Sequence, residues 1–281
     1  MKAYLDCIPC FFQQALRAAR IATDDAGQHK QILDELGSML SDIPLENTPP
    51  ETGRLIYRMV RQITGNPDPF QQLKREATEH ALEMYPAMKQ MIGESEDSLL
   101  TAIRIAIAGN VIDFGPSADF DIDKTLKEVM RREFAICDYM SFRRRLAMSE
   151  RVLYIGDNAG ETVFDRLLIE QLNRPVVYVV RETPVINDAT LDDALRAGID
   201  KVAMIVSSGT EAPGTVLSTC SPEFLRMLNE STFTIAKGQG NYEGLSDAGH
   251  PVFFLLMAKC RIIANDIGVT RGDFLLKGVN T

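Results

Sequence analysis

At 281 residues and 31.2 kDa the chain is long enough for two domains or one large one, and its 45% hydrophobic and 25% charged residues are ordinary globular values. A net charge of −9 argues against a nucleic-acid backbone as partner, because neutralising phosphates needs a basic surplus. No stretch approaches the roughly 18 consecutive apolar residues of a membrane span.

The N-terminus carries Asp6 and turns amphipathic at once, unlike a signal peptide. Five cysteines, an odd number spread along the chain, do not read as a disulfide framework. Both features predict a reducing, cytoplasmic setting. Residues 8–22 put Phe11, Phe12, Leu16 and Ala19 on one stripe, and Ile32, Leu33, Leu36 and Leu40 repeat the pattern, so both segments read as amphipathic helices. Pro49 and Pro50 interrupt it. A helix restarts near Glu51 and Thr52 and stops at Gly65, where a C-terminal cap belongs. A further helix runs to about residue 92, and "EDSLLTAIRIAIAGN" follows as a mostly apolar, buried one. "DKTLKEVMRREFA" and "YMSFRRRLAMSE" read as two more, their arginines forming a solvated face. Region 1–148 is therefore expected to be helical, with no strand.

From residue 151 the texture changes. "RVLYI", "PVVYVV", "KVAMIV", "TFTIA" and "VFFLLM" are short apolar runs, most of them separated by helix-period segments. That alternation predicts a buried, mostly parallel sheet flanked by helices. The expected division is a helical domain over 1–148 and an α/β domain over 149–281, although the helices would equally suit one face of the sheet in a single body.

Ligands of an open parallel sheet bind beyond the carboxyl ends of the strands. The segments found there are "GDNAGE", "RETPVINDAT", "SSGTEAPGT" and "KGQGN", all polar, glycine-rich or carboxylate-bearing, and they should share one cleft. Asp157 and Asp188 each suit a helix N-cap as well as a ligand role. Asn158 beside Asp157 is more than one cap needs, and two carboxylates with an amide oxygen are hard ligands that suit Mg²⁺ or Mn²⁺. Ser207, Ser208, Gly209 and Thr210 offer hydroxyls and backbone N–H groups to an anion, although an ordinary loop has the same composition. Lys237 at a strand end would meet a phosphoryl oxygen, or else be a solvated charge, with Gly240 and Asn241 close behind. Asn110 and Asp113 follow the apolar helix and would close the cleft from above, or merely terminate the helix. Cys7 and Cys10 form a single CxxC, two ligands short of a tetrahedral metal site. Together the loops suggest phosphoryl chemistry.

"CIPCF", "GNVIDFG", "IGDNAGE", "INDAT" and "KGQGN" occur in an order that resembles the damage-control metal-dependent phosphatases, formerly a domain of unknown function. The resemblance spans nearly the whole chain, and the paired cysteines resemble its prokaryotic branch. It implies a helical N-terminal region on a Rossmann-like three-layer α/β/α domain, with Mn²⁺, Co²⁺, Ni²⁺ or Mg²⁺ held by Asp157, Asn158 and Asp188. By the same resemblance Lys237 takes a phosphate-binding role, and Asn110 and Asp113 line the substrate pocket. The expected activity is hydrolysis of a small phosphorylated metabolite, a sugar phosphate or a nucleotide-related compound, with no nucleic-acid or membrane partner. A methyltransferase that uses S-adenosylmethionine and a non-enzymatic metabolite-binding module are the competing readings, and the sequence leaves the oligomeric state open.

Overall fold

The computed structural model describes residues 1–109 and 130–281. Asn110, Asp113 and most of the helix expected over 123–135 lie outside the described residues. The chain opens with helices α1 (Cys7–Ala22), α2 (Ala26–Leu40), α3 (Pro49–Thr64), α4 (Gln71–Glu94) and α5 (Ser98–Gly109). Helix α3 begins where the two prolines stand. Thr48 accepts from the Glu51 N–H while the Glu51 carboxylate accepts from the Thr48 N–H, and Gly65 closes the far end in a left-handed conformation.

The second half supplies α6 (Tyr139–Met148), β2 (Val152–Ile155), α7 (Thr162–Leu172), β3 (Val176–Val180), α8 (Leu191–Ala197) and β4 (Met204–Ser207). It continues with α9 (Pro222–Glu230), β5 (Thr234–Lys237), α10 (Gly238–Leu245), β6 (Val252–Met257), α11 (Arg261–Ile267) and β7 (Phe274–Val279), and β1 (Phe134–Cys137) precedes α6. The strands form one sheet in the order β1-β7-β6-β5-β2-β3-β4, parallel except for the β6–β7 pair.

The expected three-layer α/β/α architecture is observed. Period-two alternation sends Val152, Tyr154, Tyr178, Ile235 and Phe253 to one face, and Leu153, Ile155, Val179, Ala236 and Phe254 to the other. The first set packs on α4 through α8, the second on α9, α10 and α11. Helix α5 is buried over most of its length within the first layer, as its continuous apolar run requires.

Strands β1 and β7 depart from the sequence reading. β1 falls inside the stretch expected to be wholly helical; its four residues alternate between half-buried and exposed, and they acquire strand geometry only by pairing with β7. β7 carries Lys277 and Gly278 in its second half, which weaken its strand pattern.

Helices α1 to α3 close on a core of their own, which includes Phe11, Ala15, Ile32, Leu36, Ile56, Tyr57 and Val60. One residue of the β3–α8 loop, Val185, is buried in that core, and its neighbour Ile186 packs beside it with a positive φ of 39°. A β-branched residue in that region is strained, so the packing of the helical half holds this loop in shape.

Candidate metal and phosphate site

Strands β2, β3 and β4 step outward in one direction, and β5 returns to the other side of β2. The carboxyl ends of β2 and β5 therefore flank the switch point of the sheet, where loops diverge and leave a crevice. Both loops with the least ordinary residues, 156–161 and 237–241, start there.

Backbone hydrogen bonds stitch the β2 loop to the β3 loop. Ala189 N–H donates to the Asp157 carbonyl at 2.7 Å, Ala159 N–H donates to the Asn187 carbonyl at 2.8 Å, and Asn158 bridges Asp188. This ladder brings Asp157, Asn158 and Asp188 together from separate strands. Neither aspartate is a helix cap: α7 is preceded by Glu161, and α8 is capped by Thr190 with Asp193.

The site is buried and its charges do not balance. Asp157, Glu161, Asp165 and Asp188 are all under 9% exposed, against two comparably buried cations, Arg181 and Lys237. Burial, with the Asp188 and Glu161 charges added, pushes the Asp157 carboxyl up to about 8. Burial also raises Asp188, against the pull of Arg181. Asn158 Nδ2 donates to Asp157 Oδ2 at 3.0 Å and to Glu161 Oε2 at 2.9 Å, tying the carboxylates to the amide. Surplus buried negative charge with oxygen donors is the setting that a hard divalent cation stabilises. Among the described residues no three His, Cys, Asp or Glu side chains are arranged to hold a metal by themselves, so a cation here depends on Asn158 as well.

Gly238 sets the position of Asp157. It has a φ of +77°, and a Cβ there would stand 1.9 Å from Asp157 Oδ2. Glycine is required on both counts.

Lys237 differs from a lysine reaching into a cleft. It is fully buried, and its ammonium donates to Glu161 Oε1 and Asp165 Oδ1, each at 2.5 Å, and to the Ala106 carbonyl at 2.8 Å. Burial opposes its charge, but Asp165 and Glu161 outweigh that and hold its pKa above the usual lysine value. Asp165 also accepts from the hydroxyls of Tyr154 and Tyr178, both at 2.7 Å. All three ammonium protons are engaged, so Lys237 underpins the site floor and ties it to α5.

The other expected residues are placed as scaffold. Ser208 donates to the Val180 carbonyl, and Thr210 pairs with Thr219 while accepting from the Ala212 N–H. Gly209 N–H donates to Ser207 Oγ, and Gly240 packs against the Pro213 carbonyl. Asn241 donates to the Gly156 and Lys237 carbonyls and accepts from Thr215 and Arg181. The thiols of Cys7 and Cys10 are free, accepting from Tyr4 N–H and Gln14 Nε2 respectively.

Sequence reasoning missed Glu161, Asp165, Arg181 and Gly238. Arg181 stands at the end of β3 as Lys237 does at the end of β5, and that position was its signal. Its Nε donates to Asp188 Oδ2 at 2.8 Å and its Nη2 to Asn241, while Nη1 is buried with no hydrogen-bond partner among the described residues. An orphaned guanidinium nitrogen beside the carboxylates is an anion donor in waiting. A groove of about 430 Å³ lies at the opposite end of the strands, lined by Asp97, Tyr139, Arg143 and Arg174, and brings none of these groups together.

The Damage-control phosphatase ARMT1-like domain model matches residues 3–275. The chain is 33% identical to damage-control phosphatase PH1575 of Pyrococcus horikoshii, over 97% of this chain and 96% of that one. It is likewise 33% identical to a damage-control phosphatase of Archaeoglobus fulgidus, covering 97% and 98%, and 34% identical to an uncharacterized protein of Methanocaldococcus jannaschii, covering 96% and 93%. The crystal structure of the Pyrococcus horikoshii protein, described as a DUF89 family protein, superimposes with a TM-score of 0.92 at 32% identity over the whole of both chains. A switch-point crevice of buried carboxylates on a three-layer sheet, and matches of this extent, lead to one conclusion: the chain belongs to the ARMT1-like damage-control phosphatase family.

Proposed function

We propose that the chain is a metal-dependent phosphatase acting on a small phosphomonoester metabolite, a sugar phosphate or a nucleotide-related compound, in the cytoplasm. The observation that carries this reading is the stitched pair of loops, which presents Asp157, Asn158 and Asp188 on one patch with more buried negative than positive charge. These three residues would hold Mn²⁺, Co²⁺, Ni²⁺ or Mg²⁺. When bound, the cation supplies Lewis-acid polarisation of a phosphoryl oxygen.

The chain's own groups do the rest. Gly238 seats Asp157, and Arg181 orients Asp188 and presents Nη1 to a second phosphoryl oxygen. Lys237 contributes from below: it donates to Glu161 and Asp165 and lends positive charge to the floor of the phosphate site. Ser208, Gly209, Thr210, Gly240 and Asn241 shape the substrate side of the cleft by holding its two glycine-bearing loops, and the family resemblance gives Asn110 and Asp113 a substrate-binding role.

The test is a phosphatase screen over phosphorylated metabolites with each of the four metals. Asp157→Ala is expected to lose on the order of 10²–10³-fold in kcat while keeping the circular dichroism of the parent. In parallel, Mn²⁺ binding by calorimetry should vanish in Asp188→Ala. Full turnover by Asp157→Ala under metal-replete conditions overturns the assignment.

A further inference from the structure

Helix α3 turns one face toward the α/β half. Arg54, Tyr57, Arg58 and Arg61 follow the spacing i, i+3, i+4, i+7, which lines up a single stripe. All three arginines of that stripe converge on one carboxylate, Glu211, at the tip of the loop after β4. Arg54 Nη2 stands 2.9 Å from Glu211 Oε1, Arg61 Nη2 stands 3.2 Å from Oε2, and Arg58 Nη2 contacts Oε1. Arg61 Nη1 also donates to the Pro184 carbonyl at 2.7 Å. Arg54 Nε is buried and has no hydrogen-bond partner among the described residues. A nearby carboxylate, Glu182, accepts from Ser207 Oγ.

Among the described residues the three guanidinium groups share one carboxylate as their ion-pair partner, in a protein whose net charge is −9. They sit at partly buried positions, from 18% to 42% exposed, where charge is screened less than on an open surface. A fully structural staple between α3 and the loop would need one arginine, or two.

The cluster adjoins the candidate site. Pro184, held by Arg61, lies four residues before Asp188. Tyr57, on the same stripe, is raised above its ordinary pKa by burial and by the charge of Asp188. The Glu211 loop continues to Gly214, whose backbone N–H faces Asp188 and draws its carboxyl down. Helix α3 rests on that loop closely enough that a Cβ on Gly53 would come within 2.9 Å of Pro213 Cγ.

We propose that Arg54, Arg58 and Arg61 form a second anion subsite, with Glu211 occupying it as an internal carboxylate that an incoming ligand displaces. This rests on the phosphatase reading of the neighbouring site and narrows its substrate class. The preferred phosphomonoester carries a second anionic group, a carboxylate or another phosphate, at the far end of a short chain.

The test uses ligands that cannot be hydrolysed, so it does not depend on turnover. Calorimetry in the presence of Mn²⁺ compares alkylphosphonates of two to six methylenes with their ω-carboxy and ω-phosphono counterparts. At one or more lengths an end-charged ligand should bind about tenfold tighter than its uncharged partner. The carboxy and phosphono arms identify which group is favoured. Arg58→Gln should shrink that ratio to within about twofold, and Glu211→Gln should enlarge it, since the competing carboxylate is gone. Loss of folding does not tighten binding, so the gain in Glu211→Gln separates a subsite from a staple. Equal affinities within every pair, no binding by either series, or a ratio that Glu211→Gln leaves unchanged or lowers would overturn the proposal. If the Asp157→Ala experiment fails while the ratio persists, the phosphatase reading falls and the anion subsite stands.

Discussion

Residue by residue, the site depends on buried acidic and basic groups that only their neighbours make tolerable. Lys237 has carboxylate, carboxylate and carbonyl at its three protons, and removing it strands Glu161 and Asp165 in a dry interior. Lys237→Met should therefore cost about 3–5 kcal/mol of folding stability, measured by urea unfolding, because the uncompensated charges outweigh the gain of an apolar side chain. A solvated surface lysine would cost almost nothing. Gly238 makes a sharper prediction for activity: in Gly238→Ala the new methyl group collides with Asp157 Oδ2 and the backbone must leave its left-handed conformation. The substitution should lower Mn²⁺ affinity, seen by calorimetry, and cost about 1 kcal/mol or more of stability.

At the scale of elements, the β3–α8 loop joins the two cores. Val185 is buried among α1 and α3, Ile186 accepts a strained φ beside it, and Asp188 follows three residues after Val185. The helical half thus bears on the position of a candidate ligand through this loop. Val185→Ala should destabilise the protein by about 1–3 kcal/mol through the cavity it leaves. It should also weaken Mn²⁺ binding, although residue 185 holds no ligand. Normal metal affinity in that variant would mean that the backbone ladder from Asp157 to Ala189 positions Asp188 unaided.

Over the whole molecule, pH enters stability through buried carboxyls of raised pKa, one of which lies outside the candidate metal site. Glu243, on α10, is buried, and burial lifts its carboxyl to about 7 against the opposing hydrogen bond from Gln239. Between pH 4.5, the ordinary value, and about 7 the folded state keeps a proton that the unfolded chain has released. Stability therefore falls as pH rises through this window, by up to about 3 kcal/mol. Glu243→Gln should flatten that slope in urea titrations at pH 5 and pH 8, and stabilise the protein at the higher pH. An unchanged slope would show that Glu243 is ionised throughout.

The sequence by itself determined the layered α/β architecture, because β-branched runs alternating with helix-period segments call for a parallel sheet covered by helices. It also marked Asp157, Asn158 and Asp188, since polar residues at the carboxyl ends of buried strands are where such sheets place their ligands. The loop partners were a different matter. Whether Asp157 caps a helix or faces another carboxylate depends on the cross-loop ladder, a contact between residues some 30 positions apart. Lys237 looked like a group facing the cleft because a strand end is exposed in one dimension, and only the packing of α5 and α7 around it encloses its charge. β1 escaped because four residues of an edge strand carry little pattern until β7 lies beside them. Glu211 with its three arginines was equally hidden: their spacing on α3 is legible, but the carboxylate that gathers them arrives from about 150 residues away. Local pattern is written in the chain, while the pairing of charges across it is a product of folding.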